Sequence, residues 1–127
     1  MPASASHADQ YESFYREFDT PLMRQIRFEA YGEDIGQHSW TNSEELRRDA
    51  AHLELGPSSR FLDLGSGPCG PLTFLISNFR CSGLGLELSP SAIEVGRSRA
   101  AELDVEALFA GQVADLNQPL PTGIGPF

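Results

Sequence analysis

The chain has 127 residues with 9 basic against 18 acidic side chains, a net charge of −9 at pH 7, which opposes a nucleic-acid substrate and favours neutral or cationic partners. Its two cysteines, Cys69 and Cys81, make no disulfide framework, and neither they nor His7, His38 and His52 stand at a metal-ligand spacing. The opening Met1-Pro2-Ala3-Ser4-Ala5-Ser6-His7 lacks the basic head and apolar core of a signal peptide, and no run approaches membrane-spanning length, so the expected setting is cytoplasmic with no membrane partner. After a frayed start, Ala8 to Phe18 puts Tyr11, Phe14, Tyr15 and Phe18 on one helical face. Thr20 and Pro21 supply the cap and first-turn proline of a second helix, whose stripe is Leu22, Met23, Ile26 and Ala30 and whose stop is Gly32. The following segment, Tyr31 to Trp40, gathers two glycines, two acids, an amide, an imidazole and the only tryptophan, more than a plain helix connection needs. A third helix opens at Thr41, with Glu44 completing a capping box, and ends near the Gly56-Pro57 turn.

From there the pattern is α/β. A first strand covers Arg60 to Leu64, and a helix beginning near Pro71 carries Leu72, Phe74, Leu75 and Ile76. A second strand spans Cys81 to Leu88; Ser89 and Pro90 then start a helix that turns Ala92, Ile93, Gly96 and Ala100 toward the sheet and stops near Leu103. A third strand follows over Val105 to Ala110. The expected organisation is a helical lid or cap over residues 1–55 and, over 56–127, the first half of a Rossmann-like α/β domain with three parallel strands.

Residues Phe61 to Gly70 form an apolar strand that passes an acidic residue and runs into a glycine-rich turn before a helix, which is the geometry of a nucleotide-cofactor loop. Gly65, Gly67 and Gly70 also satisfy the dinucleotide spacing G-x-G-x-x-G, so glycine spacing leaves two cofactor classes open. Asp63 discriminates between them, because a carboxylate two residues before the first glycine suits a ligand with a cationic head better than a pyrophosphate. Glu87, the penultimate residue of the second strand, lies at the separation where a βαβ unit sets a carboxylate on ribose hydroxyls.

The stretch Asp63-Leu64-Gly65-Ser66-Gly67 resembles motif I, D/E-x-G-x-G-x-G, of the class I S-adenosylmethionine-dependent methyltransferases, with Cys69 where the third small residue stands and the glycine at position 70. The segment Val113 to Pro121, with its Pro-Leu-Pro ending, is similar to the one after that family's third strand. The resemblance implies S-adenosylmethionine as cofactor and methyl transfer to a small molecule by in-line displacement. It implies Asp63, Gly65 and Gly67 as the cofactor loop, Glu87 on the ribose with Leu88 beside it, and Asp115 accepting from the adenine amino group. In small-molecule members a segment ahead of motif I folds over the cofactor; Gln37 would then meet its methionine end and Trp40 would wall off the acceptor. The plain alternative is a surface loop with Trp40 in the core. His38 is the one imidazole near such a site with a pKa suited to a general base. A cofactor-binding module without turnover and an NAD(P)-dependent oxidoreductase remain as alternatives. The family's sheet has seven strands, so the acceptor-binding half is expected to be missing and the first strand to keep a free side that favours self-association.

Overall fold

Three strands, β1 (Arg60–Leu64), β2 (Ser82–Glu87) and β3 (Phe109–Val113), run parallel in the order β1-β2-β3 in the computed structural model, which describes residues 5–127. The signal-peptide expectation for Met1 to Ser4 lies outside the described residues. Asp63 pairs in register with Gly85, and Glu87 with Val113, so the acidic ends of β1 and β2 finish at the same side of the sheet. Parallel strands need crossovers, and α4 (Gly70–Phe79) and α5 (Pro90–Glu102) supply them, packing on the sheet and on each other. Between these layers lies the main core of Cys69, Leu72, Ile76, Cys81, Ile93, Ala100 and Val105, with Phe61, Phe79, Leu108 and Phe109 at its margin. This is the expected Rossmann-like arrangement of three parallel strands with helices.

The front consists of α1 (His7–Arg16), α2 (Pro21–Tyr31) and α3 (Ser43–His52). The first helix starts at a capping box that the sequence pattern had not singled out: Ser6 accepts from the Asp9 amide while the Asp9 carboxylate accepts from Ser6. It stops two residues before Phe18, because Thr20 precedes a proline and must be extended, with ψ 153°. Phe18 still reaches the interior and is 1% exposed, joining Tyr15, Ala92 and Val95 in a second apolar cluster between α1 and α5. Burying one such ring stabilises by about 1.5–3 kcal/mol.

Other expected boundaries also need correction. The cap of α3 is Asn42, not Thr41, since the Asn42 side chain accepts from the Glu45 amide at 2.9 Å, and the helix ends at His52 rather than near Gly56. The third strand runs Phe109–Val113 instead of Val105 to Ala110. Val105 is buried, but in a turn whose amide donates to Ala100 O, and its apolar character serves the core beneath α5 instead of a ladder.

Charged groups also join front to back. Arg27 is buried, with Nε donating to Asp34 Oδ1 at 2.8 Å and its other nitrogens to Asp19 and Phe18 O. Arg99 of α5 donates to Asp19 at 3.0 Å, and Arg24 bridges Asp19 and Glu102. Two buried guanidiniums thus share the carboxylates of Asp19 and Asp34, which is how such charges become tolerable away from water.

Candidate functional site

Strand β1 delivers the chain into the turn Gly65-Ser66-Gly67-Pro68-Cys69, and the turn needs its small residues. Gly65 and Gly67 have φ of 70° and 52°, a region that costs side-chain-bearing residues energy. Cys69 also adopts φ 60° as the residue before α4, its Sγ donating toward Ser66 Oγ; burial pushes its thiol up to about 12, which makes it a packing group and not a nucleophile at neutral pH. Gly70 has a separate role. A Cβ there would stand 2.1 Å from Gly36 O, so the displaced third glycine of the motif is where the linker backbone lies directly against the first turn of α4.

Glu87 closes the turn from the neighbouring strand. Its Oε2 accepts from the Gly67 amide at 2.9 Å and its Oε1 from the Ser89 amide at 3.1 Å, fastening the glycine turn to the N-terminus of α5. A carboxylate has about four lone-pair sites, so two acceptor positions stay available for hydroxyl donors. Asp63, at the end of β1, accepts no hydrogen bond among the described residues. Burial, reinforced by the Glu87 charge, raises its pKa to about 6. A half-buried, unpartnered carboxyl beside a second carboxylate is the environment that a cationic group would relieve.

Helix α1 roofs this turn. Glu12 reaches the start of α5, accepting from the hydroxyls of Ser89 and Ser91 and from the Ser91 amide, where the helix N-terminus favours a negative charge. Those hydrogen bonds hold its carboxyl below the ordinary range. One turn on, Tyr15 Oη would lie 3.3 Å from a Cβ on Gly67 and is 3.1 Å from His38 Nδ1. Burial pushes the Tyr15 phenol up to about 12 and lowers the pKa of His38, so at pH 7 the phenol keeps its proton and the imidazole is neutral. These elements enclose a cavity of about 710 Å³ lined by residues that include Tyr11, Glu12, Tyr15, His38, Glu87 and Leu88.

The structure brings together Glu87, Leu88 and His38 at this cavity, with Gly65, Gly67 and Asp63 at the adjoining turn. It does not bring the other linker residues there. Gln37 is buried, and its amide is consumed inside its own loop, Oε1 accepting from Ile35 N and Nε2 donating to Glu33 O. Trp40 is 95% exposed and lines none of the cavities described, so it is neither an acceptor wall nor a core residue as the fold stands. Asp115 is exposed beyond β3, where Oδ1 accepts from the Asn117 amide; it stays near Glu87 because Ala114 N donates to Glu87 O. Tyr15 and Glu12 were missed. The signal available for them was the aromatic stripe of the first helix, which marks a buried face without saying what it covers.

No family model and no curated protein matches the sequence. Solved structures do. A SAM-dependent methyltransferase from Thiobacillus denitrificans in complex with S-adenosyl-L-homocysteine is 29% identical over 76% of this chain and 38% of its own, with a TM-score of 0.58. Geranyl diphosphate C-methyltransferase from Streptomyces coelicolor A3(2), 19% identical, matches 80% of this chain and 36% of its own at 0.57. An RNA methyltransferase from Salinibacter ruber, 22% identical, matches 64% and 53% at 0.59. The last two likenesses bear on the fold alone, and in all three the chain spans well under two thirds of the structure it matches.

Proposed function

We propose that this chain, which has the fold of the N-terminal portion of the class I S-adenosylmethionine-dependent methyltransferases, binds S-adenosylmethionine at the C-terminal ends of β1 and β2 and serves methyl transfer to a small-molecule acceptor. The observation that carries it is Glu87, whose carboxylate meets the Gly67 amide at the rim of a cavity already roofed by α1. The cofactor fits the residues present: Asp63 is an unpartnered carboxyl for its ammonium, Glu87 retains acceptor capacity for two ribose hydroxyls, Leu88 offers an apolar contact beside them and Asp115 an acceptor for the adenine amino group. Residues 1–55 act as the cap and 56–127 as the first half of the cofactor domain.

Bound S-adenosylmethionine supplies a methyl group on a sulfonium, an electrophile for in-line displacement. The chain's contribution is to hold that ligand in a roofed cavity from which α1 excludes part of the water. His38 is the base: if Nδ1 carries the hydrogen and donates it to Tyr15 Oη, Nε2 keeps a lone pair for an acceptor proton, and burial keeps the ring neutral for that work. The acidic surface and a cavity lined by Asp9, Glu12 and Glu87 support a small molecule over a nucleic acid.

Glu87→Ala is expected to weaken S-adenosylhomocysteine binding by about 2–4 kcal/mol through loss of charge-assisted hydrogen bonds. Calorimetry on the two proteins checks this, and equal affinities would remove Glu87 from the site. A nicotinamide-dependent oxidoreductase is the second reading, resting on Gly65, Gly67 and Gly70. Asp63 speaks against it, since an unpartnered carboxyl beside the turn disfavours a pyrophosphate and favours a cationic group. Parallel titrations with NADH and S-adenosylmethionine separate the two. We also expect self-association along β1, which pairs on one side only among the described residues and leaves Leu64 exposed. Sedimentation of a monomer at every concentration tried would sink that expectation.

A further inference from the structure

The aromatic side chains of α1, with Phe18 of the turn after it, divide into two pairs. Tyr15 and Phe18 are buried, whereas Tyr11 is 53% and Phe14 37% exposed; Phe14 packs on Tyr15 and Phe18 at 5.5 and 5.7 Å and Tyr11 on Tyr15 at 6.1 Å, yet both remain partly open to solvent. Both line a second hollow of about 330 Å³, together with His7, Gln10 and His38. Because His7, Tyr11 and His38 also line the larger cavity, the two hollows adjoin at the imidazole. The Phe14 and Tyr11 rings lie 4.8 and 6.2 Å from that of His38, centroid to centroid.

Charge around the joined space has one sign. Asp9, Glu12 and Glu87 line its larger part, the second hollow has no carboxylate of its own but opens beside them, and no arginine lines either among the described residues. Arg16 approaches Glu12 at 3.9 Å, but its side chain is largely exposed and lines neither hollow. Aromatic faces within a carboxylate field attract a desolvated cation and repel phosphate or carboxylate groups.

We propose that this second hollow is the acceptor subsite and that its occupant is a small amine, held in its ammonium form against Tyr11 and Phe14. The assignment rests on the cofactor reading above, which makes the larger cavity the methyl donor's place. In the subsite the ammonium is next to His38: its N–H bond breaks, the electron pair stays on nitrogen, and the proton bonds to Nε2, leaving an imidazolium and an amine with a free lone pair.

Tetramethylammonium chloride is the probe, followed by NMR of the ring resonances with and without saturating S-adenosylhomocysteine. Saturable shifts of Tyr11 and Phe14 are expected, with affinity at least about tenfold weaker in Tyr11→Leu and abolished in Gln10→Arg, which brings a guanidinium to the rim. Sodium pyrophosphate should leave the same signals unmoved. The two variants replace solvent-exposed side chains and leave the anchors Glu12, Tyr15 and Phe18 in place, so retained far-UV circular dichroism is expected of each. S-Adenosylhomocysteine binding without any response to tetramethylammonium would overturn the subsite alone, as would pyrophosphate binding there or a cation affinity indifferent to both variants. Tetramethylammonium binding in a protein that ignores S-adenosylhomocysteine would support the cation site and overturn the cofactor reading instead.

Discussion

Asp63→Asn is expected to make the protein more stable at pH 7 and a poorer binder of its cofactor. Asp63 has an ordinary pKa of 3.8 when the chain is unfolded and about 6 when folded, because burial and the Glu87 charge disfavour its ionised form. Between those values the folded state holds a proton that the unfolded state has lost, so this group lowers stability as pH rises from about 4 to about 6 and adds no further change above that. At about 1.4 kcal/mol per unit, the accumulated penalty at pH 7 is about 2–3 kcal/mol, and asparagine removes it. Urea unfolding of both proteins near pH 3.5 and near pH 7.5 checks the sign: the variant should gain only in the second condition. In the same variant, affinity for S-adenosylmethionine should fall about tenfold or more, since the carboxylate no longer faces the ammonium. Wild-type affinity should likewise decline as pH drops through 6 and Asp63 takes up its proton. A variant equally stable at both pH values, or one that binds as well as wild type, would separate Asp63 from the burden assigned to it.

Arg27→Met should be the most damaging single substitution outside the main core. The methionine fills much of the space yet leaves Asp34 without its 2.8 Å donor and Phe18 O without a guanidinium, while Arg99 and Arg24 keep hold of Asp19. Removing one member of a buried ionic cluster costs about 3–5 kcal/mol, and the surviving pairs put this case near the lower end. For a domain of this size that is a large part of the total stability, so a fall in melting temperature of at least about 10 °C is expected. The loss should be smaller in Arg27→Met combined with Asp34→Asn, which removes the poorly neutralised charge yet keeps an acceptor for the Gly36 amide that donates to Asp34 Oδ1 at 2.9 Å. A double variant worse than the sum of its parts would mean that the charge on Asp34 is not what the loss of Arg27 exposes.

Much of the fold could be read directly from residue patterns, because the local signals agree with the tertiary outcome. Thr20-Pro21 and Ser89-Pro90 cap their helices as their chemistry dictates, and Gly32 ends α2 at φ 76°. Asp63 and Glu87 emerge at matching strand ends because parallel pairing fixes the register. What misled was apolar character without a period: Val105 is as buried as any strand residue while sitting in a turn. The linker misled in another way. Gln37 carries the amide that a ligand contact requires, yet the nearest unsatisfied groups were Ile35 N and Glu33 O of its own loop, and local closure won. Tyr15 was hidden for the opposite reason, since an aromatic at helical spacing looks the same whether its hydroxyl is idle or bonded to an imidazole 23 residues away.

Gly36 sits at the crossing point of the molecule. Its carbonyl presses on Gly70, and a methyl group on its own α-carbon would strike Arg99 Nε at 2.6 Å. A flap swinging about this residue would therefore have to drag the first turn of α4 with it and displace a buried guanidinium. Exchange of a ligand in the cavity should instead depend on fraying at the start of α1, whose His7, Ala8 and Asp9 line it, and be indifferent to the stiffness of the linker.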